Sequence, residues 1–184
     1  MKKRFNLSEK IKEMKLNIGS GMDYKEGYVN LDYNINCKPD MIWNLTKLPL
    51  PFTDNEFEEV YCSHILEHVD NLFNTINELV RITKNEGIIH VKVPHFSNGI
   101  GYNDLTHKRF FGWFTFIQMI KGYYNMKFNF KITSQRFNFL AVNHPIANKM
   151  FSWFYNLLPK QFYERFLCWI FPVGEIELKL EVVK

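Results

Sequence analysis

The chain is predicted to be an α/β protein with a mostly parallel sheet, and three patterns lead to that prediction. Short apolar segments alternate with polar or helical ones over the first half of the chain, which is typical of parallel sheets with right-handed crossovers. A Gly-x-Gly turn, Gly19-Ser20-Gly21, follows the first apolar segment, and the second segment ends in Asp32. Residues 175–183 alternate apolar and polar side chains and are expected to form a last strand.

The elements of the first half follow from apolar periodicity and from turn-forming residues. Pro49 and Pro51 mark an extended loop, because the residue before a proline disfavours the helical region. In order, we predict a helix over 7–14, strands over 15–18, 28–31, 41–43 and 60–63, a helix over 65–83 broken near Asp70, and a strand over 87–94.

The second half is richer in aromatic residues, which make up 17% of the chain. We predict a loop over 97–102, a helix over 109–121, a strand over 126–139 and two helices over 146–170 broken at Pro159. The aromatic block between Phe151 and Phe171 has the spacing of a buried helical face, so we expect it to be core. A lid over an apolar acceptor, a dimer face and a membrane-surface helix are the alternatives.

The early connections are too short for crossover helices. Seven residues separate Gly21 from Val29, and seven separate Asp32 from Asp40, whereas a crossover helix with its loops needs about a dozen or more. One side of the sheet is therefore expected to lack cover there. The N-terminal helix, the aromatic C-terminal third and a second subunit are the candidates to bury it.

Composition narrows the class of protein. At 184 residues the chain fits one domain, 1–184, and its net charge of +4 is spread along the sequence without a nucleic-acid motif. The three cysteines lack C-x-x-C spacing, so neither a zinc knuckle nor a disulfide framework is indicated, and a reducing, cytoplasmic setting is expected. Neither a signal peptide nor a membrane-spanning run of 18 uncharged apolar residues is found.

The Gly-x-Gly turn and the acid after it have the chemistry of a nucleoside site. Exposed N–H groups at such a turn suit a carboxylate or phosphate, and a strand-end acid can accept hydrogen bonds from ribose hydroxyls. The dinucleotide fingerprint does not fit, because Tyr24 replaces its third glycine and Asp32 follows Gly21 by only 11 residues. A cofactor with one ribose and a small charged tail remains, and S-adenosylmethionine meets that description. A plain tight turn is the alternative.

Further motifs extend this pattern. Residues 16–21 carry L-N-x-G-S-G, residues 48–52 carry an L-P-x-P-F segment, and residues 63–68 read S-H-x-L-E-H. In this order, and together with 40–45 and 86–94, they resemble the class I S-adenosylmethionine-dependent methyltransferases, with the small type 11-like branch the most similar. The resemblance covers 15–111 and the closing strand, and it implies a Rossmann-like sheet whose last strand is antiparallel. It says little about the substrate.

The resemblance implies a division of the chain into a cofactor-binding half, 15–94, an acceptor and lid region, 95–174, and the closing strand, 175–184. In the cofactor half, Gly19, Ser20 and Gly21 would pass under the methionine part of the cofactor. Asp32 would bind the ribose hydroxyls, and a strand-end turn acid is its alternative.

Four further residues are implied as cofactor contacts. Asn44 stands where the family often has Asp, and its side-chain oxygen can still accept a hydrogen bond from the adenine amino group. Leu45 would pack on the adenine ring. Ser63 and His64 end the fourth strand and would line the floor near the sulfonium, with a plain helix-entry residue as the alternative for His64.

The loop after the fifth strand is the candidate acceptor side, because open parallel sheets bind ligands at the carboxyl ends of their strands. We predict His107 as the base that takes the acceptor's proton, held by Asp104, with His95 as the second candidate. The alternative is that His107 and Asp104 cap and brace the following helix. Arg109 either binds an anionic acceptor or ties down the loop.

The run His64-x-x-Glu67-His68 is similar to an inverted zinc motif. The family that the chain resembles carries a like run as a structural helix entry, and the sequence offers no acidic helix to complete a metal site. We therefore expect no metal.

The function predicted from the sequence is transfer of a methyl group from S-adenosylmethionine to an oxygen or nitrogen acceptor, on a small molecule or cell-surface sugar. Nucleic acid is not expected as a partner, and a homodimer and peripheral membrane contact stay open. The alternatives are a non-catalytic cofactor-binding partner subunit and, ranked lower, a dinucleotide or nucleotide-sugar enzyme.

Overall fold

The computed structural model describes residues 14–122, 125–140 and 144–184. The predicted helix over 7–14 lies outside this part, apart from Met14. In chain order the elements are β1 (Lys15–Ile18), β2 (Val29–Asp32), β3 (Met41–Ile42), β4 (Phe57–Ser63), α1 (Leu72–Ile82), β5 (Thr83–Pro94), α2 (Thr115–Ile120), β6 (Phe130–Asn138), α3 (Pro145–Leu157), α4 (Lys160–Phe162), which runs into a π-helical turn (Tyr163–Leu167), and β7 (Glu175–Val182). Two 3₁₀ turns occur at Ile35–Cys37 and Gly99–Tyr102.

The strands form one seven-stranded sheet in the order β3-β2-β1-β4-β5-β7-β6. β1 pairs in parallel with both β2 and β4, so that Leu16 lies between Val29 and Val60. β7 runs antiparallel between β5 and β6. The predicted α/β class, with a mostly parallel sheet and an antiparallel closing strand, is confirmed.

α1 follows from its own sequence. The side chain of Asn71 accepts a hydrogen bond from the Asn74 N–H and caps the helix start. Ile76 and Leu79 fall three residues apart on one buried face. The chain then passes directly into β5, which begins at Thr83 rather than at the predicted residue 87.

Two predicted helices are shorter than expected. Residues 65–70 form a turn because the guanidinium of Arg109 binds the carbonyl oxygens of Leu66, Val69 and Asp70, which holds them away from helical geometry. Residues 109–114 are not helical either, and Phe111 instead makes a bridge to His95. Arg109 therefore ties down the loop, as one of its two predicted roles required.

The early crossovers contain no α-helix among the described residues, as their length predicted. The aromatic C-terminal third does not supply the missing cover, because α3 packs on β6 at the opposite edge of the sheet. Met22, Ile35 and Ile42 stay exposed beside β2 and β3.

The aromatic block is only partly core. Tyr155 and Tyr163 are buried, whereas Trp153, Phe166 and Trp169 are mainly exposed. The expectation of a buried face therefore holds for a minority of the block. In the part of the chain that the structure describes, no helix has the length and apolar character needed to cross a membrane.

The contact of α1 with the sheet generates a stability prediction. Leu79 is 0% exposed, and Leu79→Ala is expected to lower the free energy of unfolding by about 2–5 kcal/mol, because it removes buried methyl groups and leaves a cavity. Leu105 is 97% exposed, and Leu105→Ala is expected to change stability by about 0.5 kcal/mol or less. Urea denaturation measures both, and equal losses would contradict this account of the core.

Candidate functional site

The Gly-x-Gly turn leaves β1 in the left-handed region of backbone space. Gly19 has φ of 65° and Gly21 has φ of 48°, values that side chains with a Cβ rarely adopt. A Cβ on Gly19 would lie 2.5 Å from Cγ1 of Ile65, whereas a Cβ on Gly21 would meet no atom within 4 Å. Gly19 thus allows close packing on the 64–70 turn, and Gly21 leaves open space above the loop.

The Asp32 side chain holds this turn in place through hydrogen bonds. The side chain is buried at the end of β2, and its Oδ2 accepts the Gly21 N–H at 2.8 Å while Oδ1 accepts the Asn34 N–H at 2.8 Å. A carboxylate oxygen has two lone pairs, so each oxygen can accept one further hydrogen bond. Asp32 therefore orders the loop and still presents acceptors to a ligand.

Two buried asparagines hold the rest of the loop. Asn17 Nδ2 donates to the carbonyl of Asp23 at 2.8 Å and to Oδ1 of Asn30 at 2.9 Å, and that same Oδ1 accepts the Lys25 N–H at 2.8 Å. Because buried polar groups must be paired, these amides fix the loop's path.

A cavity of about 560 Å³ lies at the carboxyl edge of the sheet. Its volume is within the range of roughly 300–1,000 Å³ usual for small-molecule sites. Six of the predicted cofactor contacts line it: Gly19, Gly21, Asp32, Asn44, Leu45 and His64. Ser20 and Ser63 are not among its lining residues.

Other lining residues escaped sequence reasoning. Tyr33, Trp43 and Thr46 are chain neighbours of predicted contacts, and adjacency alone was the available signal. Thr106 and Lys108 come from the loop after β5, which folds back over the cavity. The path of that loop depends on Arg109, so no local pattern could reveal these contacts.

His64 joins the two halves of the site. Its φ is 52°, its Nε2 lies 2.9 Å from Oε2 of Glu175, and its Nδ1 lies 3.4 Å from Oε1 of Glu67. The hydrogen bond to Glu175 and the nearby carboxylate of Glu67 raise the pKa of His64 from 6.5 to about 9. The ring is therefore charged at neutral pH.

A second cavity of about 490 Å³ shares His64 with the first. Asp104 and His107 also line it, together with the 98–101 turn and the 172–174 approach to β7. The structure thus brings two predicted catalytic residues to a cavity beside the candidate cofactor cavity.

Asp104 and His107 are close without being tightly bonded. His107 Nε2 lies 3.8 Å from Oδ2 of Asp104, which is longer than a hydrogen bond. Oδ1 of Asp104 accepts the N–H of Thr106 at 2.8 Å and its hydroxyl at 2.6 Å, and these bonds lower the pKa of the Asp104 carboxyl.

His95 lies elsewhere. Its side chain is 0% exposed, its Nδ1 accepts the Ser97 N–H at 3.1 Å, and its Nε2 lies 3.2 Å from Oε1 of Glu164. It lines neither of the two cavities. We therefore do not retain His95 as a catalytic candidate, because its ring nitrogens brace the start of the loop.

Part of the sequence matches a known family. Residues 20–91 match a family model described as a methyltransferase domain, Methyltransf_11. Family and fold imply S-adenosylmethionine as its cofactor, and the cavity fits it: the glycine turn has an open side, Asp32 has free acceptor positions, and Trp43 and Leu45 offer apolar surface.

Two solved structures and one curated protein are similar to this chain. A SAM-dependent methyltransferase from Archaeoglobus fulgidus superimposes with a TM-score of 0.60 at 17% identity, over 92% of this chain and 86% of the other. An S-adenosylmethionine-dependent methyltransferase from Mesorhizobium loti superimposes with a TM-score of 0.59 at 12% identity, over 94% of this chain and 92% of the other. At these identities the likeness establishes the fold. Protein MJ0638 of Methanocaldococcus jannaschii is 50% identical over 46 residues, which is 25% of this chain and 20% of that relative.

The raised pKa of His64 predicts how stability depends on pH. Because the folded-state pKa is about 9 against an ordinary 6.5, the contribution of charged His64 is fully present below pH 6.5 and is lost as pH rises through about 9. Wild type should therefore lose more free energy of unfolding between these pH values than His64→Gln. His144→Gln, at an exposed histidine, is the matched control. Equal pH dependence in all three proteins would contradict the assignment.

Proposed function

We propose that the protein transfers a methyl group from S-adenosylmethionine to an oxygen or nitrogen atom of a small molecule or saccharide. The observation that carries the proposal is the convergence of the glycine turn, Asp32 and His64 on one cavity, with a second cavity sharing His64. When bound, the cofactor supplies an electrophilic methyl group on a sulfonium.

The residues of the first cavity have distinct roles in binding. Asp32 accepts hydrogen bonds from the ribose hydroxyls with the lone pairs that Gly21 and Asn34 leave free. Asn44 Oδ1 already accepts the Thr46 N–H at 2.9 Å, so its amide is held in place while its NH₂ group and second lone pair remain for the adenine edge. Leu45 packs on the ring.

On the acceptor side the protein aligns the acceptor atom and removes a proton. Alignment supplies most of the rate in direct displacement, because the enzyme then binds the transition state better than the ground state. His64 is charged at neutral pH and accepts no proton there. His107, which lines the second cavity beside Asp104, is the side chain that we assign to proton removal from the acceptor.

The lining of the second cavity favours an uncharged acceptor. Among the described residues that line it, none is a lysine or an arginine, and its one cation, His64, is paired with the carboxylates of Glu175 and Glu67. The lining also includes Asp104 and Asn98 beside Ile100 and Val173. A phosphate-bearing acceptor such as nucleic acid needs basic side chains, whereas hydroxyl-rich saccharides suit carboxylate and amide partners with an apolar face. A small hydroxylated molecule or a sugar therefore fits the cavity best.

Cofactor binding tests the first half of the proposal. Calorimetric titration should show binding of S-adenosylmethionine and of its demethylated product, and no binding of NAD. Asp32→Ala is expected to weaken the first two about tenfold or more, because charge-assisted hydrogen bonds are lost. Asp23→Ala, at an exposed acid of the same loop that pairs with Lys25, is the matched control. A folded protein that binds neither compound would overturn the proposal.

Measurement of turnover tests the second half of the proposal, methyl transfer to an acceptor. Release of the demethylated cofactor product is measured with a panel of saccharides and small hydroxylated or amino compounds. With an active acceptor, His107→Ala is expected to lower kcat about 100-fold or more and to leave the affinity for S-adenosylmethionine unchanged. His144→Ala should behave as wild type. Wild-type turnover in His107→Ala would remove that side chain from the reaction.

A further inference from the structure

Glu67 is a buried carboxylate without a hydrogen-bond partner among residues 14–122, 125–140 and 144–184. Its side chain is 0% exposed, and the cation facing it is His64, whose Nδ1 lies 3.4 Å from Oε1. Oε2 has no such neighbour. Burying a charge costs free energy unless the charge is paired or coordinates a metal. Oε2 of Glu67 therefore needs a partner.

The other cations near Glu67 are engaged elsewhere. The guanidinium of Arg109 binds backbone carbonyls of the 66–70 turn. The ammonium of Lys108 pairs with Asp70. Neither group satisfies the carboxylate.

Two histidines face the same point. Nδ1 of His107 is buried and lacks a hydrogen-bond partner in the described part of the chain. The rings of His68 and His107 lie edge to face with their centroids 4.7 Å apart. One ligand atom from each ring and one oxygen of Glu67 all lie within 4.8 Å of one another.

The remaining ring nitrogens of both histidines lie toward Asp104, and that of His68 reaches it through a hydrogen bond to Thr106. His68 Nδ1 lies 2.8 Å from Oγ1 of Thr106, which donates to Oδ1 of Asp104 at 2.6 Å. His107 Nε2 lies 3.8 Å from Oδ2 of the same carboxylate. Both rings thus lead back to Asp104, and ligand histidines commonly direct their second nitrogen to such a carboxylate or its relay.

We infer that Glu67, His68 and His107 form a binding site for one divalent transition-metal ion, such as Zn²⁺ or Mn²⁺. Two imidazoles and one carboxylate match the ligand preference of these ions and leave coordination positions open. This set was not expected from the sequence, because His107 is 39 residues beyond His68 and only the fold brings it there.

The site lies at the border of the two cavities, since His68 lines the first and His107 the second. A metal ion there would bind an acceptor hydroxyl and favour its ionised form, with the released proton passing to solvent. With the ion bound, His107 would act as a metal ligand in place of taking the proton itself. This role rests on the proposed methyl transfer, whereas the existence of the metal site does not.

Metal binding by the chelator-stripped full chain tests the inference. Calorimetry with Zn²⁺ and electron paramagnetic resonance with Mn²⁺ should show one ion per chain for at least one of the two. His68→Gln and His107→Gln are each expected to weaken binding at least tenfold, and His144→Gln should leave it unchanged. His68 is partly exposed, so its variant keeps the test valid if His107→Gln does not fold. Thermal unfolding shows whether each variant is folded.

Two outcomes would overturn the inference: no binding of either ion, or binding that neither His68→Gln nor His107→Gln weakens. S-adenosylmethionine is titrated into the same preparations. A protein that binds this compound but no metal overturns the metal site alone, and a protein that binds metal but not this compound overturns the proposed function alone.

Discussion

The parallel pairing of β1 with both β2 and β4 is the constraint on which the rest of the structure depends. Parallel strands that share a register end at the same edge of the sheet, so Gly19, Asp32 and His64 come together although 44 residues separate the first from the last. The register itself follows from the burial of Leu16 and Val60, because a shift by one residue would turn apolar side chains away from their packing partners. The core of the sheet therefore sets the geometry of the cofactor cavity.

Charge pairing around His64 joins distant parts of the chain at the second cavity. His64 lies between the carboxylates of Glu175, which begins β7, and Glu67, which lies in the turn that Arg109 holds. Burial alone raises the pKa of Glu175, but hydrogen bonds from His64 and Asn138 outweigh it and lower the pKa. The left-handed backbone of His64 is a strained conformation that this pairing maintains, so the position of the ring depends on charges from distant parts of the sequence.

Sequence reasoning located residues whose position depends on their own strand. The glycine turn and Asp32 follow β1 and β2 directly, and their positions could be read from apolar segments and turn residues. Sequence reasoning failed where a residue's contacts come from a distant part of the chain. His95 stands in a loop dense with polar groups, yet Glu164, 69 residues away, makes it a brace. The predicted helix over 65–70 is a turn for the same reason, because Arg109 lies about 40 residues beyond it.

The two cavities differ in which segments of the chain form their walls, and this difference affects substrate specificity. The cofactor cavity is built mostly from residues 19–46, which are contiguous and fixed by neighbouring strands. The second cavity combines His64, Pro94 with the 98–107 loop, the end of the β6 segment at 139–140 and the 172–174 approach to β7, so its shape depends on several separate segments. Changes in the 98–107 loop or in residues 172–174 can therefore alter the second cavity while Asp32 and the glycine turn keep their hydrogen bonds. A fold arranged in this way can keep one cofactor and accept many substrates, because the segments that shape the acceptor side are not those that hold the cofactor.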